Sequence, residues 1–330
     1  MKGLAPIVGT MALVGTVPLI TSSNVVLNFL VMVFLIALVG QGWNLLGGYG
    51  GQYSFGHAAF FGTGAYVTAV LQMHYGVNAW LSFGIGIVGG AVVGSAIGAL
   101  SFRSGLKGSY FALVTLAFAE VLRIAASVAP ITGAGVGTLI RLDLRPEAFQ
   151  FQSRAPFYWI ALGLVGASLI LIRAIEHSRF GAYLVAVREN EDAAEALGVD
   201  PAAVKLGAMT ISAAITAAAG CFYAQYFLFI DAGIAYGPWI SIEALLAPLV
   251  GGIGTVFGPL LGALAVRTLG ELGRLMAGDA PGLDLVIYGC VLILVVAVAP
   301  RGIVGVLSGL RGHALSHKAA LPTPLERDNG

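Results

Sequence analysis

Apolar positions in this chain come in long blocks rather than in alternation. Blocks near 4–20, 25–46, 53–73, 79–101, 109–129, 157–175, 207–230, 240–253, 256–276 and 283–300 consist mainly of Ala, Val, Leu, Ile, Phe and Gly. A helix needs about 20 such residues to cross the hydrocarbon core, and only a helix satisfies its own backbone there. The pattern predicts an all-α, polytopic integral membrane protein with about ten transmembrane helices. The eighth block, 240–253, is short enough to be a half-helix or a re-entrant segment. The first block could be the core of a signal peptide. Lys2 alone is a thin basic region, however, and Thr21-Ser22-Ser23 is a poor cleavage site, so a retained first helix is expected.

Composition narrows the class. With 58% hydrophobic residues, 10% charged residues, 47 Gly and a mean hydropathy of +0.91, an ordinary soluble domain is excluded, since that would be about one quarter charged. The formal net charge of +1 gives no reason to expect nucleic acid. Cys221 and Cys290 both lie in apolar runs and read as buried thiols. Residues 1–305 read as one transmembrane domain. Residues 306–330, which include Pro322, Pro324 and a closing Asp-Asn-Gly, read as a cytoplasmic tail. An even number of spans puts both termini on one side, together with Arg103, Lys107, residues 176–205 and the basic tail. The positive-inside rule makes that side the cytoplasm. Arg141, Arg145 and Arg154 then fall in an outer loop, 131–156, against the rule: either the parity is wrong or these arginines are there for a partner.

The polar interruption at 176–205 is the main irregularity in the pattern. Nine charged side chains fall in these 30 positions, where an even spread of 17 basic and 16 acidic residues would put about three. Each would cost about 2.5–3.5 kcal/mol at the centre of a membrane helix, so the block is expected outside the bilayer. Asn190 suits the N-cap of a short helix whose first turn carries Glu191 and Asp192. Gly198 follows Leu197 as a C-terminal stop, and Asp200-Pro201 suits the cap and first residue of the next span. On that helix Ala193, Ala194 and Leu197 share one face, opposite Glu191, Asp192 and Glu195. A small apolar face of this kind suits insertion into a groove on another protein.

Within the apolar blocks a few polar positions are candidates for a transport path. Residues 50–66 hold Gly50, Gly51, Gly56, Gly62 and Gly64, each worth about 1 kcal/mol less than Ala in a soluble helix. In a membrane they allow close packing or a local unwinding beside a polar path. Gln52, Ser54 and His57 are the side chains beside it; His57 reads first as a structural hydrogen bond between helices and second as a path residue. Glu120 with Arg123, and Arg267 with Glu271, can each share a helix face. Glu120 reads as either an interhelical anchor or a path residue, Glu243 as a further path candidate, and Arg267, Glu271 and Arg274 as residues near the outer surface. Residues 84–89 match GxGxxG but sit inside an apolar run with no strand before them, so the match is chance. Gly86, Gly90, Gly94 and Gly98 instead form a ladder for helix packing.

Four stretches carry a resemblance. SRFGAYLVAVRENEDAAEALGVD (178–200) resembles the coupling segment, a variant of the EAA motif, of LivM-type permeases of branched-chain amino acid ABC importers. GGQYSFGHAAFFGTGAY (50–66), GSYFALVTLAFAEVLRI (108–124) with ITGAGVG after it, and SIEALLAPLVGGIGTVFGPLLGA (241–263) are similar to the same family, in the same order, over roughly 25–305. Two departures stand out. Gly133-Ala134 occupies a place where the family more often has Gly-Gly, and Pro248 stands where an aliphatic residue is commoner.

The resemblance implies a permease subunit of an ATP-driven importer for branched-chain amino acids, in the inner membrane of a bacterium. It implies that Arg188, Glu191, Asp192, Ala193, Ala194, Glu195, Ala196, Leu197 and Gly198 form a cytoplasmic coupling helix. Gly51, Gln52, Ser54, Gly56, His57, Glu120 and Glu243 become candidates for the translocation path. Arg141, Arg145 and Arg154 become candidates for docking an extracytoplasmic binding protein. The implied partners are a LivH-like second permease and two LivG/LivF-like ATPases, which hold ATP and Mg. This chain has no Gly-x-x-x-x-Gly-Lys-Ser/Thr and is expected to bind no cofactor, metal or nucleic acid and to catalyse nothing itself. Alternatives are a permease of the same family for urea or another amino acid or amide, and an ion-coupled secondary transporter. An intramembrane enzyme would need a convergent catalytic cluster, which five scattered histidines and two cysteines do not supply.

Overall fold

The structure, a computed structural model, describes residues 4–277, 286, 289–290 and 302–305. It is a helical bundle, and among these residues six helical stretches are long and apolar enough to cross a membrane. The chain begins with α1 (Ala5–Gly15) and α2 (Val17–Ile20), which together are shorter than a span. Helix α3 (Asn24–Trp43) continues into a π-helical turn, Asn44–Tyr49. Helices α4 (His57–Tyr75), α5 (Ala79–Arg103), α6 (Gly108–Val128) and α7 (Ala155–Glu176) follow. The charged block forms α8 (Arg179–Glu189) and α9 (Glu191–Ala196). Then come α10 (Pro201–Phe227), the single turn α11 (Ala232–Ala235), α12 (Pro238–Gly251) and α13 (Gly258–Ala277). The expected span 283–300, apart from residues 286, 289 and 290, and the tail 306–330 lie outside the described residues.

Small residues decide how the centre packs. Lipid is as apolar as leucine, so helices in a membrane associate through close contact rather than hydrophobic exclusion. On α5, a methyl at Gly90 would overlap Ala217 of α10, one at Gly94 would overlap Ala213, and one at Gly86 would come within 2.6 Å of the Cys221 sulfur. On α10 itself, Gly220 lies directly against the Phe61 carbonyl of α4. Gly64 of α4 lies as closely against the Ala217 carbonyl, and Gly42 of α3 against Thr216. The expected ladder is therefore the α5–α10 seam, and α3, α4, α5 and α10 form one core.

Hydrogen bonds sort the helix ends into two layers. Lys107 after α5, Glu191 on α9 and Lys205 at the start of α10 meet at one end, with the close of α3. At the other end Arg154 reaches Asn28 and Tyr226, while Trp80 Nε1 donates to the Pro146 carbonyl at 2.8 Å. The arginine loop there is ordered. Strands β1 (Thr138–Leu139) and β2 (Phe229–Ile230) pair antiparallel, Thr138 opposite Ile230, and Phe149 is fully buried beneath the loop.

Several expectations need correction. The 53–73 helix starts only at His57, because residues 50–56 are not helical. Helix α10 starts at Pro201 with Asp200 as its cap, as expected, accepting from the Ala202 and Ala203 amides, so it begins ahead of the apolar block at 207. Arg267 lies midway along α13 rather than at its end. Cys221 is buried, but Cys290 is exposed. Ala134 adopts φ +48°, at the position where the resemblance leads one to expect glycine; an L side chain is disfavoured in that conformation.

The seam predicts a contrast within one helix. Gly94→Leu should destabilise the bundle by about 1–3 kcal/mol through overpacking. Gly84→Leu, whose added carbon meets nothing within 4 Å, should leave the thermal midpoint in detergent unchanged or slightly raised.

Candidate functional site

Three places hold the polar chemistry, and the first is the α8–α9 platform. Ser178 caps α8 through the Gly181 amide, and Asn190 caps α9 through the Ala193 amide at 3.0 Å. Gly198 ends α9 at φ +87°, where glycine avoids the penalty any side chain would meet. Glu191 fastens this helix to the bundle. One carboxylate oxygen lies 3.1 Å from the Lys107 ammonium, and the other lies 2.7 Å from that of Lys205, which is only 4% exposed. Partial burial alone would raise the Glu191 carboxyl above its ordinary range, but the hydrogen bonds from Lys205 and Lys107 prevail and hold it below.

The platform's faces differ from the expected arrangement. Ala194 is buried in this chain's own core, so it is not on a presented face with Ala193 and Leu197. Asp192, Ala193, Glu195, Ala196, Leu197 and Gly198 are exposed, Leu197 by 86%. A six-residue helix rotates through every direction, so helical spacing alone did not tell which side meets the bundle. Arg188 also turns inward: its Nη1 donates to the Gly48 carbonyl at 3.0 Å, while Nε and Nη2 hold Glu189.

The second place is the break at 50–56, inside the bundle. Backbone in lipid must find partners, and this stretch finds them in protein. The Gln52 amide donates to the Leu46 carbonyl, the Phe55 amide to Thr115 of α6, and the Gly56 amide to Ser54 Oγ. Trp43 Nε1 donates to the Ser54 carbonyl at 2.8 Å. Gly51 takes φ +66° and lies against the Arg188 side chain, and a side chain at Gly56 would overlap the Thr115 carbonyl. The Ser212 hydroxyl donates to the Gly42 carbonyl at 2.7 Å, so His57 Nε2, at 3.0 Å, is the donor to that hydroxyl. His57 Nδ1 has no partner among the described residues. Ser241 of α12 accepts from the Ala58 amide at 3.0 Å, joining this helix to the first turn of α4.

Glu243 of α12 is half-buried within electrostatic range of Arg267 of α13, whose Nε is buried without a partner among the described residues. Gly51, Gln52, Ser54, Gly56 and His57 thus form one cluster, and Glu243 lies on the helix joined to it. Glu120 does not join them. It lies on the open side of α6, 48% exposed, in a two-pronged pair with Arg123 at 2.6 and 2.8 Å.

The third place is the arginine loop. Arg145 pairs with Asp143, and this contact holds the Asp143 carboxyl below its usual range. Arg154 donates to Asn28 and to the Tyr226 hydroxyl, whose ring it also overlies. Arg141 has no ion pair among the described residues. It lines a cavity of about 290 Å³ with Gln72, Asp143, Arg145 and Glu147.

Reading the sequence alone missed Lys107 and Lys205 as partners of Glu191. It also missed Gln41 and Asn44, both fully buried in α3 and its π-helical turn. A signal for the latter existed, since they are amides inside an apolar run. No group of three or more His, Cys, Asp or Glu that could hold a metal occurs among the described residues.

Known proteins match most of the chain. The family described as "branched-chain amino acid transport system / permease component" matches residues 25–296. The high-affinity branched-chain amino acid transport system permease protein LivM of Escherichia coli is 29% identical over 310 residues, covering 86% of this chain and 71% of that protein. The probable LivM of Methanocaldococcus jannaschii is 27% identical, covering 76% and 77%. The E. coli permease protein LivH is 26% identical, covering 82% and 91%. No solved structure matches.

The Glu191 clamp predicts an acid-sensitive α9. A carboxyl held below its ordinary range stabilises the fold above that range, and the contribution disappears as pH falls through the lowered value. Hydrogen-exchange protection of amides 190–199 should drop below about pH 4 while that of α10 persists. Glu191→Gln should show the low protection already at pH 6; full protection in that variant would show that the two lysines do not hold the helix.

Proposed function

Because this chain belongs to the family of branched-chain amino acid transport system permease components, we propose that it works as the LivM-like membrane subunit of an ATP-driven importer. It is a multi-pass membrane protein and a transport subunit rather than an enzyme. Its relatives include both LivM and LivH permeases, which supports a homologous second permease as its partner. In this reading α8 and α9 face the cytoplasm and meet one of two ATPase subunits, which bind ATP and Mg. The observation that carries it is the platform itself, a capped charged helix fastened to the bundle by Glu191 yet presenting Ala193, Ala196 and Leu197 outward.

Closure of the ATPases moves the platform, and the path between the two permeases changes the side on which it opens. The cluster around residues 50–57, with Glu243, lines or gates that path. A binding protein on the outer side delivers the amino acid to the arginine loop. Arg141 is the cation most available to it, because Arg145 and Arg154 are held within this chain.

One preparation tests the reading. The chain should co-purify with ATPase subunits and, in proteoliposomes with its binding protein, take up labelled leucine only with ATP. Uptake of urea instead would move the substrate to another member of the family, and uptake driven by a proton or sodium gradient without ATPase would overturn the proposal. Leu197→Asp should lose at least about tenfold in ATPase affinity with an unchanged thermal midpoint. Arg141→Glu should retain the ATPases but weaken binding-protein docking, most at low salt; unchanged docking would remove Arg141 from that role.

A further inference from the structure

Besides the buried side chains of Leu184, Val187 and Ala194, the α8–α9 platform meets the bundle through two sets of polar contacts. Glu191 leads to Lys205 and Lys107, at the starts of the long helices α10 and α6. Arg188 leads elsewhere. We propose that Arg188, Asn44 and Gln41 form a strap that carries movement of the platform into helix α12, with Asn44 and Gln41 as positioning residues. This rests on the reading of α8–α9 as the ATPase contact.

The strap runs through hydrogen bonds at each end and through one turn of backbone between Gly48 and Asn44. Arg188 Nη1 donates to the Gly48 carbonyl at 3.0 Å, within the π-helical turn that closes α3. Such turns leave the regular bonding ladder and are frequent at functional sites. A side chain at Gly48 would overlap Asn44 Oδ1 and approach the Gly254 amide nitrogen to 2.7 Å, so the three groups meet where only glycine fits. Asn44 grips the loop between α12 and α13 with both ends of its amide. Its Oδ1 accepts from the Gly254 amide at 2.8 Å, and its Nδ2 donates to the Thr255 carbonyl at 3.0 Å. Gln41, one turn earlier, donates to the Val256 carbonyl at 2.7 Å.

The loop is firmly joined to both helices that flank it. Thr255 Oγ1 donates to the Gly252 carbonyl and accepts from the Gly258 amide. Gly262 of α13 lies against the Ala247 carbonyl and Gly251 against that of Gly258, leaving no room for a methyl, so α12 and α13 move as one body. From α12 the route reaches the Ala58 amide through Ser241, beside His57. Asn44 and Gln41 are fully buried, and a buried amide that loses its partner has no water to replace it. The grip therefore holds while the parts around it shift, and a push on Arg188 displaces the loop rather than sliding past it.

The test uses the assembled transporter in proteoliposomes, with Cys290→Ser as background and Ile253→Cys in the loop as reporter. Residue 253 is 37% exposed. The maleimide labelling rate is measured without nucleotide and with ATP plus vanadate. Nucleotide should change the rate in the background protein. Asn44→Ala should abolish that change and lower leucine moved per ATP hydrolysed about tenfold, with ATPase co-purification and basal hydrolysis retained. Arg188→Met should also abolish the change, and Arg188→Lys should restore part of it. If Asn44→Ala lowers the thermal midpoint but keeps both the labelling response and the coupling ratio, the amide is only structural and the strap is overturned. A background protein whose loop ignores nucleotide while leucine uptake proceeds overturns the strap and leaves the transport reading intact. A chain that binds no ATPase overturns both.

Discussion

The bundle depends on how closely α10 lets its neighbours approach. Gly220 and its alanines bring the α4 and α5 backbones within contact of its own. That closeness is what makes the break at 50–56 tolerable, because carbonyls and hydroxyls on α3, α6 and α10 then stand within reach of it. Thr115, Ser212 and Trp43 each supply a partner to the region between Ser54 and His57. A bundle held apart by leucines would leave the same backbone unpaired in lipid.

Charge is handled in the opposite way at the ends. Lys205 is nearly buried, and its ammonium is tolerable there because Glu191 meets it at 2.7 Å. The pairing makes α9 part of the bundle while its Leu197 side stays open. Arg188 does the same for α8, satisfying a carbonyl at the C-terminal end of α3, where the helix dipole favours a cation. The platform is thus held by these polar points together with the buried side chains of Leu184, Val187 and Ala194.

Much of this could be read along the chain. The spans, the caps at Asn190 and Asp200 and the stop at Gly198 follow from local rules that act over a few residues, and the structure forms each cap where the sequence places it. The glycine ladder was also legible, because a four-residue period places Gly86, Gly90, Gly94 and Gly98 on one face. What escaped was partnership. Glu191 and Lys205 are fourteen residues apart, and Asn44 and Gly254 are 210 apart; no periodicity links them.

By itself the sequence determined a polytopic helical membrane protein of this permease family, with a capped charged segment between two spans, because hydropathy and capping are local properties. Tertiary structure decided which way that segment faces. It turned Ala194 inward, tied one nitrogen of Arg188 to the bundle, left Leu197 outside, gathered Gly51 to His57 into one cluster and put Glu120 on an open flank. The reason is physical. A short helix or a broken stretch has no long apolar stripe to orient it, so its direction is set by the few polar partners that distant parts of the chain bring within reach.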